Sequence, residues 1–442
     1  MTQGIVLIVV DSLRSDSIRP DTTPFLYGLR HEGVWFDRAY AAECWTLPSH
    51  LSMFTGLMPR EHGAHFGTMA YLRREPTIAE LLQEKGYATE AVTRNFVFDG
   101  NIPGLLRGFQ RVFRPLASHS SAAAYFLALA KPRIRRHLRE TGFFNAGHRE
   151  SLDFVNAFAR SLLPADEEAL DTLLKRAVDF RSRGQRFFIF ANLYDVHAPY
   201  PPQMNSILRP WSSWSGLIEN ILLPPALAKL GAHRYLCPGF TMPQLLQDQL
   251  RERYSAAVAM MDRKLETFFR ELENQRLLDD SLVILTSDHG EAFGEHGLYL
   301  HDASVFETHL HVPLWIHTPR GDRGVVTDVV STRDLFALLG DTDAHENTIL
   351  DVSYREQRPF VEADHFHYPH LRDADPQYRV DQRAVITAAN KFVVRGRSAS
   401  VYDLQNDWSE EHPEEVPFPA FRQIVLNTGI GATAANALMI PQ

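Results

Sequence analysis

Leu282-Val283-Ile284-Leu285-Thr286-Ser287-Asp288-His289-Gly290-Glu291 is the stretch that decides the fold. Its first five residues are apolar or β-branched without a break. That is the pattern of a strand buried on both faces, as in a parallel sheet covered by helices. The run ends directly in a carboxylate and an imidazole, and open α/β sheets place their sites at the carboxyl ends of strands.

Other runs have the same form. Ile5 to Val10 is continuously apolar and ends in Asp11-Ser12. Phe187 to Leu193 leads into Tyr194-Asp195-Val196-His197, and Val312 to Ile316 is a fourth strand of this kind. Val34 to Phe36 and Ala88 to Thr93 read as further strands. Helical spacing lies between them, from Pro24 to Gly33, Thr77 to Lys85, Glu167 to Ser182 and Arg251 to Gln275. The alternation predicts an α/β fold with a doubly wound, mostly parallel sheet flanked by helices. In a parallel sheet Asp11, His197 and Asp288-His289 share one edge.

After about Leu350 the pattern changes to short strands, with few helices, at Pro359 to Glu362, Ala384 to Ala388, Lys391 to Val394 and Ser400 to Leu404. This predicts a catalytic α/β domain over residues 1–350 and a small antiparallel C-terminal α+β subdomain over 351–442. Residues 101–150 and 203–245 lack periodicity and read as insertions that set specificity. The first carries the basic run Lys131 to His137, expected to be a solvated face. The second carries Trp211 and Trp214, which either pack it or bind ligand.

The 442 residues carry a net charge of -9, which argues against a broad nucleic-acid-binding surface but allows a local anion pocket. Two cysteines, Cys44 and Cys237, exclude a disulfide framework and a cysteine-based zinc site, and fit a reducing compartment. Residues 1–10 have no basic n-region, and six apolar residues are too few for a signal core or a membrane span. The expectation is a cytoplasmic protein without a membrane span, its oligomeric state open.

Trp45-Thr46-Leu47-Pro48-Ser49-His50 adds a helix start. Pro48 suits a first helical turn and Gly56 a left-handed C-cap. Thr46 is then a hydroxyl at a helix N-terminus, either a cap or a nucleophile set where negative charge is favoured. Asp11 is likewise a helix cap or a site carboxylate. Asp and His together are transition-metal or Mg/Mn ligand types, and imidazole moves the preference from Ca²⁺ toward Mn²⁺ or Zn²⁺. A metal lowers the pKa of a neighbouring hydroxyl and holds a substrate oxygen. His50, His197, His296 and His301 are candidates to clamp substrate or protonate a leaving group. Asn95, just past a strand, is a turn residue and a pocket candidate. His62, His65, His365, His367 and His370 read as surface or structural histidines, and Glu291 and Glu295 as supports of their loop. The set suits displacement at phosphorus or sulfur in a small anionic ester.

The chain resembles the alkaline phosphatase–sulfatase superfamily, close to its sulfatase-like branch. The resemblance rests on Val9 to Arg14, Thr23-Pro24 with Gly33 to Phe36, Thr46 to His50 with Thr55-Gly56 and His62-Gly63, Asp195 to Tyr200, Thr286 to Glu291 with Gly294 to Gly297, Val312 to Leu314, and Tyr402 to Leu404 with Asp407. It implies one divalent metal held by Asp11, Asp288, His289 and the oxygen of Thr46. It also implies Thr46 as nucleophile, and His197 and His301 against substrate or leaving group. His50, Asn95 and His296 are the substrate-binding candidates beside them.

Two departures bear on the reaction. Sulfatases proper carry a Cys or Ser, oxidised to formylglycine, in a Cys/Ser-x-Pro-x-Arg motif; here Thr46 and His50 replace the first and last residues, and Cys44 lies two residues early. Ser12 stands where many sulfatases have a metal-binding Asp, which weakens the case for Ca²⁺. A Thr nucleophile resembles the nucleotide pyrophosphatase/phosphodiesterases and the phosphoglycerol transferases of the lipoteichoic acid synthase type. The expectation is a metal-dependent hydrolase of phosphate esters, a phosphodiester or phosphonate monoester, with Mn²⁺ or Zn²⁺ preferred over Mg²⁺ or Ca²⁺. The alternatives are a transferase using the same covalent step, a sulfuric ester hydrolase, and a non-catalytic anion-binding protein. A second metal is left open by His296, His301 and Asp195.

Overall fold

The computed structural model describes residues 2–115, 166–198, 200, 241–301, 304–341, 346–367, 379–427 and 435–438. The basic run 131–137, Trp211, Trp214, Cys237 and His370 lie outside them.

Eight strands form one sheet in the order β10-β2-β9-β6-β1-β5-β3-β4. They are β1 (Gly4–Val10), β2 (Val34–Tyr40), β3 (Ala88–Thr93), β4 (Arg111–Phe113), β5 (Phe187–Leu193), β6 (Ser281–Thr286), β9 (His311–His317) and β10 (Gly324–Ser331). A two-stranded ribbon, β7 (Ala292–Phe293) and β8 (Tyr299–Leu300), lies between β6 and β9 in the chain. The central strand β1 is buried throughout and pairs in parallel with β5 and β6. Its alternate residues divide between two cores: Val6, Ile8 and Val10 in one, Ile5, Leu7 and Val9 in the other. A period of two with both faces covered is why the run is apolar without alternation. Each such side chain contributes about 1.5–3 kcal/mol by burial.

Helices close both faces. α1 (Pro24–Gly28), α5 (Asp166–Ser182) and the 31-residue α6 (Gln244–Asn274) pack on one. α2 (Thr46–Thr55) and α4 (Ile78–Glu84) pack on the other, with the one-turn α3 (Pro59–His62) following α2. Among the described residues, no helix is long and apolar enough to cross a membrane.

The mostly parallel, doubly wound sheet is as expected, with local differences. β9, the Val312–Ile316 strand, runs antiparallel to both β6 and β2. A parallel return needs a crossover of a dozen or more residues, usually a helix. The link from β6 to β9 is instead spent on the β7–β8 ribbon and a four-residue helix, Glu307–Leu310. β4 pairs with β3, so Arg111–Phe113 completes the sheet edge rather than opening an insertion.

Five antiparallel strands make the second sheet: β11 (Phe360–His365), β12 (Gln382–Thr387), β13 (Asn390–Arg395), β14 (Ser398–Asp403) and β15 (Glu414–Val416). A shared apolar cluster joins it to the first, with Tyr40, Cys44, Val312 and Val329 meeting Val361, Ala384 and Tyr402. Arg60 adds ion pairs to Glu362 at 2.8 Å and Asp364 at 2.9 Å. Deeper, the fully buried Lys391 binds Glu307 at 3.0 Å and Glu410 at 2.9 Å. Burial pushes the Glu410 carboxyl up to about 7 against the pull of that ammonium.

Removing one partner of a buried ion group leaves an uncompensated charge, which costs about 3–5 kcal/mol. Lys391→Ala should lose that much stability in urea unfolding at neutral pH. The loss should grow with rising pH. A glutamate whose folded pKa is raised contributes its full stability below its unfolded pKa, about 4.3, and loses it as pH rises through the folded value.

Candidate active site

The register brings the site residues together. Val10 of β1 is level with Leu193 of β5, and Val9 with Thr286 of β6. Asp11 and Asp288-His289 therefore leave adjacent parallel strands at the same edge. Asp11 N–H donates to the Leu193 carbonyl at 2.9 Å, so the sheet ladder runs into the site. Gly290 allows the next turn: the Thr308 carbonyl oxygen lies 2.1 Å from where a Cβ would stand.

Asp11, Asp288 and His289 are fully buried, and each offers one ligand atom within 4.8 Å of the others. Each carboxylate is held by one oxygen or both. Asp11 Oδ2 accepts from Asn95 Nδ2 at 2.8 Å and Asn192 Nδ2 at 3.5 Å, and Oδ1 accepts from Ser12 Oγ at 3.1 Å. Asp288 Oδ1 accepts the Ser12 and His289 N–H groups at 3.2 and 3.0 Å. Among the described residues, Asp288 Oδ2 has no hydrogen-bond partner though it is buried. His289 Nδ1 donates to the Gly290 carbonyl at 3.0 Å. A carbonyl can only accept, so Nδ1 carries a hydrogen, and in the neutral ring it is Nε2 that carries the lone pair. That lone pair faces Asp288 Oδ2 at 3.4 Å, Asp11 Oδ1 at 3.7 Å and Thr46 Oγ1 at 3.4 Å.

Two carboxylate oxygens and an imidazole lone pair directed at one another repel unless a cation lies between them. Burial, reinforced for Asp11 by the charge of Asp288, holds the Asp11 carboxyl well above the usual carboxylate range. Burial pushes Asp288 up to about 7. An imidazole whose other nitrogen donates to a backbone carbonyl is the usual supporting arrangement of a metal-ligating His. The donor set fits one divalent cation.

Thr46 is the first residue of α2 rather than its cap. Trp45 holds the cap position with no side-chain hydrogen bond, and Gly56 ends the helix at φ 69° as expected. Ser49 Oγ, one turn on, donates to the Asp288 carbonyl at 2.6 Å and fixes the helix against the β6 edge.

His289, His301 and His197 form a run of rings. His301 stacks on His289 with centroids 4.5 Å apart, and His197 meets His301 edge-on at 4.7 Å. The buried Glu291 holds His301 Nδ1 at 3.1 Å and is itself held by the Tyr200 hydroxyl at 2.9 Å. His197 Nδ1 meets the Ala198 carbonyl at 2.5 Å, and its ring stacks on Tyr194 at 4.3 Å. Burial, then the neighbouring His301, hold the His197 imidazolium well below its ordinary pKa, so this ring is neutral.

Two substrate-binding candidates have other surroundings. His50 is fully buried; Nδ1 meets the Thr46 carbonyl at 2.8 Å, and Phe54, Phe98 and Phe190 surround the ring edge-on. Burial pushes its pKa down to about 3, so it is a neutral ring that braces Thr46 and sits 3.5 Å from Asp288 Oδ2. It does not replace the motif Arg as an exposed cation. His296 takes a left-handed backbone, φ 53°, and stacks on Phe306 at 3.7 Å, over which Arg395 also lies. Its ring packs toward the second sheet rather than into the Asp11–Asp288–His289 group. Asn95 reaches the site as a donor to Asp11. Asp195, left open as a second-metal ligand, is engaged by Arg94 at 2.5 Å and Lys264 at 2.7 Å.

Asn192 and Ser49 were not anticipated. Asn192 had a visible signal, a single amide near the end of the otherwise apolar Phe187–Leu193 run. Ser49 had none, since a serine in a first helical turn is ordinary.

The sulfatase family model matches residues 3–342. The mouse (Mus musculus) iduronate 2-sulfatase is 23% identical over 360 residues, which is 72% of this chain and 59% of that protein's length. The arylsulfatase of Clostridium perfringens is 23% identical over 469 residues, covering 95% of this chain and 93% of the relative. Among solved structures, the phosphonate monoester hydrolase of Agrobacterium radiobacter superposes with a TM-score of 0.67 at 19% identity, over 99% of this chain and 96% of that one. The phosphonate monoester hydrolase of Silicibacter pomeroyi gives 0.62 at 18%, over 97% and 94%. The family match takes in β1, α2 and the Asp288-His289 edge alike, and this chain belongs to the sulfatase family of hydrolases.

Proposed function

We propose that the chain hydrolyses a phosphate ester, a phosphodiester or phosphonate monoester, through a covalent intermediate on Thr46. The observation that carries this reading is the Thr46 hydroxyl at the first turn of α2, 3.4 Å from the lone-pair nitrogen of His289 in a buried two-carboxylate group. Threonine cannot give the formylglycine aldehyde on which sulfatases proper depend, whereas its hydroxyl can attack phosphorus directly. The shared fold does not choose between phosphorus and sulfur, and the threonine supports the phosphorus reading.

Asp11, Asp288 and His289, with Thr46 Oγ1 beside them, would hold one divalent ion, with Mn²⁺ or Zn²⁺ favoured by the imidazole. Such an ion lowers the pKa of an adjoining hydroxyl and draws charge from the ester oxygens. The free N–H groups of α2 favour the anionic group over Thr46. Thr46 gives its hydroxyl proton to solvent, its oxygen forms its bond to phosphorus as the bond to the leaving alkoxide breaks, and that alkoxide takes a proton from His301, beside which the neutral His197 ring packs. Glu291 keeps a hydrogen on His301 Nδ1, which assigns proton exchange to Nε2. Water then attacks phosphorus and passes a proton back to His301, the Thr46–phosphorus bond breaks, and the Thr46 oxygen regains a proton from solvent.

A second reading, sulfuric ester hydrolysis, is favoured by the sulfatase relatives, whose alignments reach 95% of this chain. Turnover of an aryl phosphodiester and an aryl phosphonate monoester against an aryl sulfate decides between them, and the phosphorus esters should be faster. Thr46→Ala should lower that turnover by at least about 10³-fold. Quenched wild type should carry a phosphoryl or phosphonyl mass on the Thr46 peptide. Full activity in the variant would overturn the covalent route.

Chelator dialysis should abolish turnover, with Mn²⁺ or Zn²⁺ restoring it. Asp288→Asn should fail to respond to either. Glu291→Gln should lower kcat by about 10–100-fold with KM near wild type, since it loosens His301 without touching the ester. A rise in KM alone would place Glu291 in substrate binding instead.

A further inference from the structure

Three ligand-type side chains that the proposed reaction does not use meet where the segment between β2 and α2 passes the end of β11. Glu43 Oε1 lies 2.8 Å from His365 Nδ1 and 3.3 Å from Cys44 Sγ, and Sγ lies 3.5 Å from the same Nδ1. All three residues are buried, at 3%, 0% and 1% exposure for Glu43, Cys44 and His365.

The pattern is not that of a thiol relay. A nucleophile–base–acid relay uses both ring nitrogens, one for the thiol and one for the carboxylate. Here the thiol and the carboxylate both meet Nδ1, so sulfur, nitrogen and oxygen form a closed triangle facing one point. Tetrahedral Zn²⁺, with bonds of about 2.3 Å to sulfur and about 2.0 Å to nitrogen and oxygen, holds S and N or S and O donors about 3.5 Å apart and N and O donors about 3.3 Å apart. Both sulfur edges of the triangle already have that length to within about 0.2 Å. The nitrogen–oxygen edge is shorter because a hydrogen bond spans it.

The frame around the triangle is joined by the main chain. Asp364 N–H donates to the Ala42 carbonyl at 3.0 Å, which ties the residue before His365 to the residue before Glu43. Arg60 then holds the Asp364 carboxylate from α3.

We propose that Glu43, Cys44 and His365 form a second metal site, separate from the Asp11–Asp288–His289 group, which takes a zinc ion with water as fourth ligand. Thiolate selects against hard cations such as Mg²⁺ and Ca²⁺. On binding, the thiol proton is released to solvent and the imidazole hydrogen resides on Nε2. The ion fastens the second sheet to the segment two residues ahead of Thr46. The expectation of no cysteine-based zinc site, drawn from a count of two cysteines, does not reach a site with one thiolate and a histidine 321 positions away.

Cobalt substitution tests the site apart from the catalytic group, which contains no sulfur. The full chain, stripped by chelator and titrated with Co²⁺, should develop a near-ultraviolet thiolate-to-cobalt charge-transfer band. Asp288→Asn and Cys237→Ser should keep the band, Cys44→Ser should lose it, and Zn²⁺ should displace it. His365→Gln should bind Co²⁺ at least about tenfold more weakly. In wild-type protein Zn²⁺ should also protect Cys44 from alkylation, read by peptide mass, so the site stays testable if Cys44→Ser does not fold. Absence of the band in wild type, its survival in Cys44→Ser, its loss in Cys237→Ser, or alkylation of Cys44 indifferent to Zn²⁺ would each overturn the proposal.

Discussion

The structure depends on a mutual repulsion that the fold enforces. Adjacent parallel strands end in Asp11 and in Asp288-His289, and the sheet register makes these groups neighbours whether or not they attract. Nothing in the site can turn away. Asp11 is held by two amides and a hydroxyl, Asp288 by two main-chain N–H groups, and His289 by a backbone carbonyl. Each bond orients a lone pair toward the same centre. The resulting buried negative charge is a cost of preorganisation, and a cation offsets it.

The rest of the architecture serves that arrangement. The apolar strands give β1, β5 and β6 fixed positions, and the helices on both faces keep water from the carboxylates. α2 brings Thr46 to the edge from the opposite core, with Ser49 and His50 pinning its first turn. The histidine run extends from the charged centre through His301 toward the more exposed His197. Family membership and this geometry agree on a hydrolase. The proposal of phosphorus over sulfur rests on one side chain, the threonine at the head of α2.

Much of this was legible in the residues. Long apolar runs ending in Asp or Asp-His mark central strands and their carboxyl ends, because double burial forbids alternation and leaves polar groups only where the strand stops. Asp11, Asp288 and His289 stand at such ends, whereas Thr46 was read from the helix start that Pro48 and Gly56 mark. Orientation was less legible. Val312 to Ile316 looks the same whether parallel or antiparallel, since direction is set by the connection rather than the strand. His50 and His296 look like site histidines in the chain. A Phe cage around one and a left-handed turn against Phe306 for the other are long-range facts that no local pattern carries. His365 was assigned a structural part for the same reason: Glu43 and Cys44 lie more than three hundred residues earlier.

The junction between the sheets carries more chemistry than a packing interface needs. An apolar cluster would suffice to bury β11 and β12 against β2 and β9. Instead Lys391 is sealed between two glutamates, Arg60 between two acids, and Glu43, Cys44 and His365 at the mouth of the segment leading to Thr46. Dispersion and burial are non-directional, so an apolar joint would let one sheet slide on the other at little cost. Ionic and hydrogen-bonded contacts hold only at one setting, because a small displacement leaves a buried charge unpaired. Thr46 is two residues beyond Cys44, and its oxygen has to meet a centre defined by β1 and β6. A joint that fixes the register of the second sheet therefore also fixes where α2 begins.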